Sequence, residues 1–143
     1  MYPGYYRKPH YYETDQMGIV HHSNYIRWFE EARVGLLEYL GLAYQDMEKA
    51  GIIVPVLAVD CQYKGMLHYG EQVRIDPLVA KYNSTRLDFS YTITNEKDQI
   101  VTTGSSKHCF LEQNTNHFIR LKKDYPDFHQ IFTNYQKISS SDF

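Results

Sequence analysis

Cysteine is scarce in this chain: Cys61 and Cys109 are the two among 143 residues. Two thiols supply neither a disulfide framework nor a four-ligand zinc site. A single Cys61–Cys109 pair stays open, with two reduced core thiols as the expected state. Charge of one sign is missing too, since 15 Lys and Arg against 17 Asp and Glu leave a net charge of −2. That balance excludes bulk attraction to nucleic acid or to an anionic membrane. No apolar run approaches the ~20 residues that span a bilayer, and no apolar stretch follows a basic start at the N-terminus. The expected compartment is the cytoplasm, with no membrane insertion and no nucleic-acid partner. Internal repeats and linker-like stretches are absent, so residues 1–143 are expected to form one domain. What the chain has in quantity is tyrosine, 14 residues, which serves cores, ligand pockets and subunit contacts alike.

Periodicity divides the chain. Tyr5–Tyr12 predicts a strand, with Pro9 at an edge or a bulge. A helix is expected from Asn24, a good N-cap type, to a stop at Gly41. Tyr25, Trp28, Phe29, Ala32, Leu36, Tyr39 and Leu40 share one face of it, widened by Val34 and Leu37. Arg27, Glu30, Glu31 and Glu38 mark the other side. A short second helix spans Ala43–Ala50. Strands then follow over Ile53–Tyr63, Glu71–Tyr82, Thr85–Thr94 and Gln99–Glu112, with Pro77 a bulge and Asn83-Ser84 a turn. Leu87, Phe89, Tyr91 and Ile93 alternate cleanly with Arg86, Asp88, Ser90 and Thr92. Tyr125–Tyr135 predicts a terminal helix, and Ser139–Ser141 the start of a frayed tail. One strand, a long helix and four strands on short connections make an antiparallel sheet packed on one helix, an α+β layer.

The stretch Tyr11–Tyr25 carries the chemistry. Asp15 is followed by Gly18, then Ile19-Val20, then a His pair and Asn24 ahead of the long helix. A carboxylate before a helix start works beside free backbone N–H groups, and these with the helix dipole favour developing negative charge. Residue by residue, plainer roles exist. Asp15 reads as a turn or N-cap aspartate, His22 as structural, Gly18 as a turn residue and Tyr25 as helix core. Glu30 reads as an ion pair with Arg33 at i+3. Adjacent His21 and His22 diverge, and no further ligand spacing makes them a metal motif. Arg120, Lys122 and Lys123 form a basic patch after the last strand, either solvated charge or a phosphate contact.

Taken together, Asp15-x-x-Gly18-Ile-Val20-x-His22-x-Asn24-Tyr25 followed by Trp28-Phe29-Glu30-x-Ala32-Arg33 resembles the signature of the hotdog-fold acyl-CoA thioesterases. Among these it is similar to the para-hydroxybenzoyl-CoA thioesterases and to the short-chain acyl-CoA thioesterases associated with the bacterial Tol-Pal system. The resemblance covers roughly Tyr6 to Pro126. It implies a hotdog fold, β-α-β-β-β-β, with the sheet wrapped around one long helix. It also implies hydrolysis of an acyl-coenzyme A thioester to free acid and coenzyme A, without metal or redox cofactor. Asp15 would attack the thioester carbonyl or activate water, and the backbone N–H of His22 would meet the thioester oxygen. Gly18 would shape the turn, and Tyr25 would put one edge into the acyl pocket. Arg120, Lys122 and Lys123 stand where relatives bind the nucleotide phosphates. Asn83, Ser84 and Thr85 replace a second basic cluster found in some relatives, leaving Lys81 and Arg86 as substitutes. Some hotdog thioesterases place the carboxylate on the long helix, where Glu30 stands. A homo-oligomer, dimer or tetramer, with its site at the subunit boundary is implied as well. The rival readings are a thioesterase acting on acyl carrier protein and a noncatalytic module that binds acyl thioesters.

Overall fold

The computed structural model describes residues 2–141, with side chains through residue 136. Its main layer is a five-stranded antiparallel sheet built from β1 (Tyr5–Arg7), β3 (Val56–Tyr63), β4 (Val73–Asn83), β5 (Arg86–Thr94) and β6 (Ile100–Cys109), in the order β1-β4-β5-β6-β3. Across it lies α1 (Ser23–Leu40). The α+β hotdog arrangement expected from the sequence is the one observed. Leu87, Phe89, Tyr91 and Ile93 of β5 face α1 and are buried, as their alternation predicts. From the helix side come Tyr25, Trp28, Phe29, Ala32, Leu36 and Leu37. Phe29 stacks on Tyr91 at 4.3 Å between ring centroids. Gly104 of β6 makes room for that ring, since a Cβ there would come within 2.5 Å of Phe29. Gly41 closes α1 at φ 84°, with its N–H on Glu38 and the Leu42 N–H on Leu37, a Schellman motif.

Several expectations are corrected. The first strand stops at Arg7, and Tyr11–Glu13 forms a 3-10 turn, because Pro9 cannot continue the ladder. Pro77 keeps register opposite Tyr91, two residues past the last β1 pair at Ile75; the irregularity falls between Val79 and Lys81. The strand expected over Gln99–Glu112 breaks at Phe110. Its end, β7 (Leu111–Glu112), leaves the sheet to pair with β2 (Ile52–Ile53). Tyr39 is half-exposed and meets the Tyr2 ring instead of the sheet. The second helix, α2, spans Tyr44–Lys49. At the end, α3 (Leu121–Asp124) precedes α4 (Pro126–Ser141), which runs through the Ser139–Ser141 run expected as a tail; residues 142 and 143 lie outside the described residues. Both thiols are free, Cys109 buried and Cys61 half-buried on β3. Among the described residues no helix is long and apolar enough to cross a membrane.

Candidate active site

The segment before α1 is a small ladder of its own. Residues 13–15 run antiparallel to 19–21, through Asp15 N–H to Ile19 O at 2.8 Å and His21 N–H to Glu13 O at 2.8 Å. Val20 N–H reaches on to Leu67 O at 2.9 Å, tying this ladder to the connection after β3. Gly18 turns the loop at φ 75° with nothing within 4 Å of where a Cβ would sit, so the backbone angle, not space, calls for glycine.

Asp15 sits in the turn with its side chain exposed. Its Oδ1 accepts the N–H groups of Met17 at 2.8 Å and Ile19 at 3.2 Å. No donor among the described residues reaches Oδ2. The turn role therefore uses one oxygen of the carboxylate, which fixes the loop, and the other remains available.

At the head of α1 the N-cap is His22, not Asn24. Asn24 instead donates its Nδ2 to Glu13 O at 2.8 Å, strapping the helix to the ladder. The peptide between His21 and His22 is held by its carbonyl, which takes the Asn24 N–H at 3.0 Å. Its other end, the His22 N–H, has no acceptor among the described residues. The His22 carbonyl receives the Tyr63 hydroxyl at 3.0 Å. Tyr63 also sets its ring edge-on to Tyr25, 5.2 Å away. Partial desolvation pushes the Tyr63 phenol up to about 12, with Cys61 adding to the shift, so it stays a donor at neutral pH. One loop thus offers a free carboxylate oxygen, and the helix start beside it a free, oriented N–H.

The model of the thioesterase-like superfamily matches residues 9–132, nearly the whole of that architecture. The chain belongs to the thioesterase-like superfamily. A Bacillus subtilis (strain 168) relative named "Putative acyl-CoA thioesterase YneP" is 36% identical over 127 residues, 89% of this chain and 92% of its own. The 1,4-dihydroxy-2-naphthoyl-CoA hydrolase of Thermosynechococcus vestitus is 28% identical, over 76% of this chain and 75% of its own. Among solved structures, the DHNA-CoA thioesterase from Staphylococcus aureus is similar, with a TM-score of 0.90 at 37% identity over 97% of this chain and 93% of that one.

In this member of the superfamily, Asp15, Gly18, His22 and Tyr25 come together around the loop and helix start. Arg120, Lys122 and Lys123 do not join them. They are exposed and lie beside the β4–β5 turn, where Leu121 N–H bonds Ser84 O at 2.9 Å. Register places that turn far away: Arg86 pairs with Cys109, whereas Tyr63 pairs with Thr102. Seven strand residues separate those positions, about 23 Å at 3.3 Å per residue. The expected Glu30–Arg33 ion pair is not formed. Glu30 is exposed, and Arg33 turns inward to the hydroxyls of Tyr44 and Tyr91, each 3.0 Å away. Among the described residues no group of three or more His, Cys, Asp or Glu could hold a metal ion.

Three supporting features were not anticipated. Tyr63 was one. A second is the buried carboxylate of Glu13, which takes Arg7 at 2.5 Å and the Trp28 indole N–H at 2.8 Å, while Arg7 also reaches Glu31. That network clamps β1, the ladder and α1 together. The third runs from Arg33 through Tyr91 to Ser106 at 2.6 Å and on to His108 Nε2 at 2.8 Å.

Proposed function

We propose that this chain hydrolyses acyl-coenzyme A thioesters to free acid and coenzyme A. The observation that carries the reading is the free Oδ2 of Asp15 in the loop that leads to the unpaired N–H of His22. The carboxylate adds to the thioester carbon, or takes a proton from the water that does. Negative charge then grows on the carbonyl oxygen, where the His22 N–H and the positive end of α1 stabilise it. Collapse breaks the C–S bond, and the coenzyme A thiolate leaves to take up a proton. By the attacking route a mixed anhydride forms and water cleaves it; by the base route the acid is released at once. Tyr63 holds the next peptide in line, through the His22 carbonyl. The names of the relatives that act on a dihydroxynaphthoyl thioester put a fused aromatic acyl group first among substrates to try.

The working unit we propose is a dimer joined through β3. This strand is an open edge, and Val56, Leu57, Val59 and Tyr63 on it are 43–51% exposed. Pairing β3 with a second copy in antiparallel fashion satisfies the edge. It also carries the partner's basic end toward Tyr63 and His22, joining the two halves of the site that lie apart in one chain. The test is thiol release from acetyl, medium-chain, long-chain and aromatic coenzyme A thioesters. Turnover of at least one is expected; ligand binding without thiol release from any would refute hydrolysis.

A further inference from the structure

Arg7 and Lys8 are neighbours in the chain with different fates. The Arg7 side chain is buried, with Nη2 on Glu13 and Nη1 on Glu31. Its Nε is buried too and has no hydrogen-bond partner. Lys8 stands just past the end of β1, exposed, and makes no ion pair among the described residues. Both residues line a cavity of about 510 Å³, a size usual for small-molecule sites.

Tyr5, Tyr11 and Tyr69 supply much of the remaining wall. Tyr11 and Tyr69 are 79% and 58% exposed and meet edge to face, 5.7 Å between ring centroids. Glu31 is the one carboxylate in the lining, and both its oxygens are taken. Oε1 accepts the Tyr5 hydroxyl at 2.6 Å and Arg7 Nη1 at 2.8 Å, and Oε2 accepts the same nitrogen at 2.6 Å. Acceptor charge in this cavity is therefore occupied, while the Lys8 ammonium and the Arg7 Nε–H are donors without acceptors. An organic cation would suit the tyrosine rings, but it would meet Lys8 and find Glu31 engaged. A flat anion finds ring surface and spare donors together. The wall is also tied to the Asp15 ladder at two points. The Tyr11 carbonyl accepts the Thr14 N–H at 3.2 Å and the Thr14 hydroxyl at 2.8 Å, and Tyr69 N–H reaches Gly18 O at 3.4 Å.

We infer that this cavity binds an aromatic carboxylate, with its ring against Tyr11 and Tyr69 and its charge on Lys8. The cavity lies at the β1 edge of the sheet, whereas Tyr63, which holds the His22 carbonyl, is on β3 at the opposite edge. Its meaning rests on the acyl-CoA reading given above, although the binding itself does not. Hydrolysis of an aromatic coenzyme A thioester releases an anion of this class, so the cavity is a second seat for product, beside the loop that carries Asp15.

The test is calorimetric titration of the full chain with 2-naphthoate, and with 2-naphthamide as its uncharged match. Lys8→Gln should weaken naphthoate binding about tenfold, the effect of losing a hydrogen bond to a charged group. Tyr69→Ala should weaken it roughly two- to tenfold, the usual worth of an aromatic contact, and Tyr69→Phe should restore it. The amide should bind the wild type about tenfold more weakly than the acid and should not respond to Lys8→Gln. Thiol release by Lys8→Gln should keep the kcat and KM of the wild type. No naphthoate binding, or equal binding of acid and amide, overturns the assignment. So does naphthoate binding that survives both Lys8→Gln and Tyr69→Ala, which would place the anion elsewhere, the acyl pocket included. Absence of thiol release by a wild type that still binds naphthoate through Lys8 strikes the acyl-CoA reading and leaves the cavity assigned.

Discussion

In the proposed mechanism Asp15 carries two duties through two oxygens, and substitution separates them. Asn keeps an Oδ1 that can accept from Met17 and Ile19, so Asp15→Asn should fold normally and melt near the wild type. It supplies neither an anionic nucleophile nor a base. The expected loss in kcat is on the order of 10² to 10⁴, the range for removing general-base assistance. Glu30→Gln, exposed and unpaired with Arg33, should change turnover little; a dead Glu30→Gln beside an active Asp15→Asn would move the chemistry to the helix. His108 makes a different prediction. Burial, with Arg33 adding, lowers its pKa to about 4, against the opposite pull of the Val54 and Pro55 backbone. Between pH 6.5 and 4 the unfolded chain binds a proton that the folded imidazole refuses. Stability should therefore be full above pH 6.5 and fall by roughly 3 kcal/mol as pH drops toward 4. Urea midpoints measured from pH 7.5 to 4.5 should show this slope, and His108→Gln should flatten it.

Elements differ in how openly the sequence announces them. β5 was legible because its two faces meet different surroundings, apolar against α1 and polar outward. The extent of α1 was legible too, since Gly41 stops it whatever it packs on and its start at Ser23 falls one residue from the expected one. Its N-cap was not, because the Asn24 side chain has its partner in Glu13 O and not in its own helix. β1 looked longer than it is, as tyrosines on both sides of Pro9 have strand character. Asp15, Gly18 and His22 could be singled out because their pattern is local in the chain. The clamp could not: Arg7, Glu13 and Glu31 meet only once β1 and α1 are docked. That clamp holds the Asp15 ladder, and both side chains of the Arg7–Glu13 pair are only 8% exposed. Removing one charge leaves the other buried and unpaired, so Glu13→Gln should cost about 3 kcal/mol in urea unfolding. Faster hydrogen exchange at the Met17 and Ile19 amides should accompany it. Unchanged exchange there would mean that the ladder stands without the clamp.

In the proposed dimer, assembly decides whether the two halves of the site meet. Val59→Lys places a charge on the exposed edge of β3 and should give a monomer by light scattering, with thiol release lost and the fold kept by circular dichroism. A fully active monomer of 16.9 kDa would remove the case for β3 pairing. If Arg120, Lys122 and Lys123 hold the nucleotide phosphates, salt should raise KM for coenzyme A thioesters in the wild type, because exposed charge contacts are screened.

The same edge bears on the life of the chain before assembly. Of the eight residues of β3, Asp60 alone is charged, and its carboxylate is already engaged by the Ser105 hydroxyl. If the working unit is the proposed dimer, a newly synthesised chain that has not met its partner displays on β3 an open strand edge with almost no gatekeeper against mispairing. Dilution and slow assembly then become hazards in themselves. Heat inactivation should be slower at high protein concentration, since mass action shields the strand from pairing with the wrong neighbour.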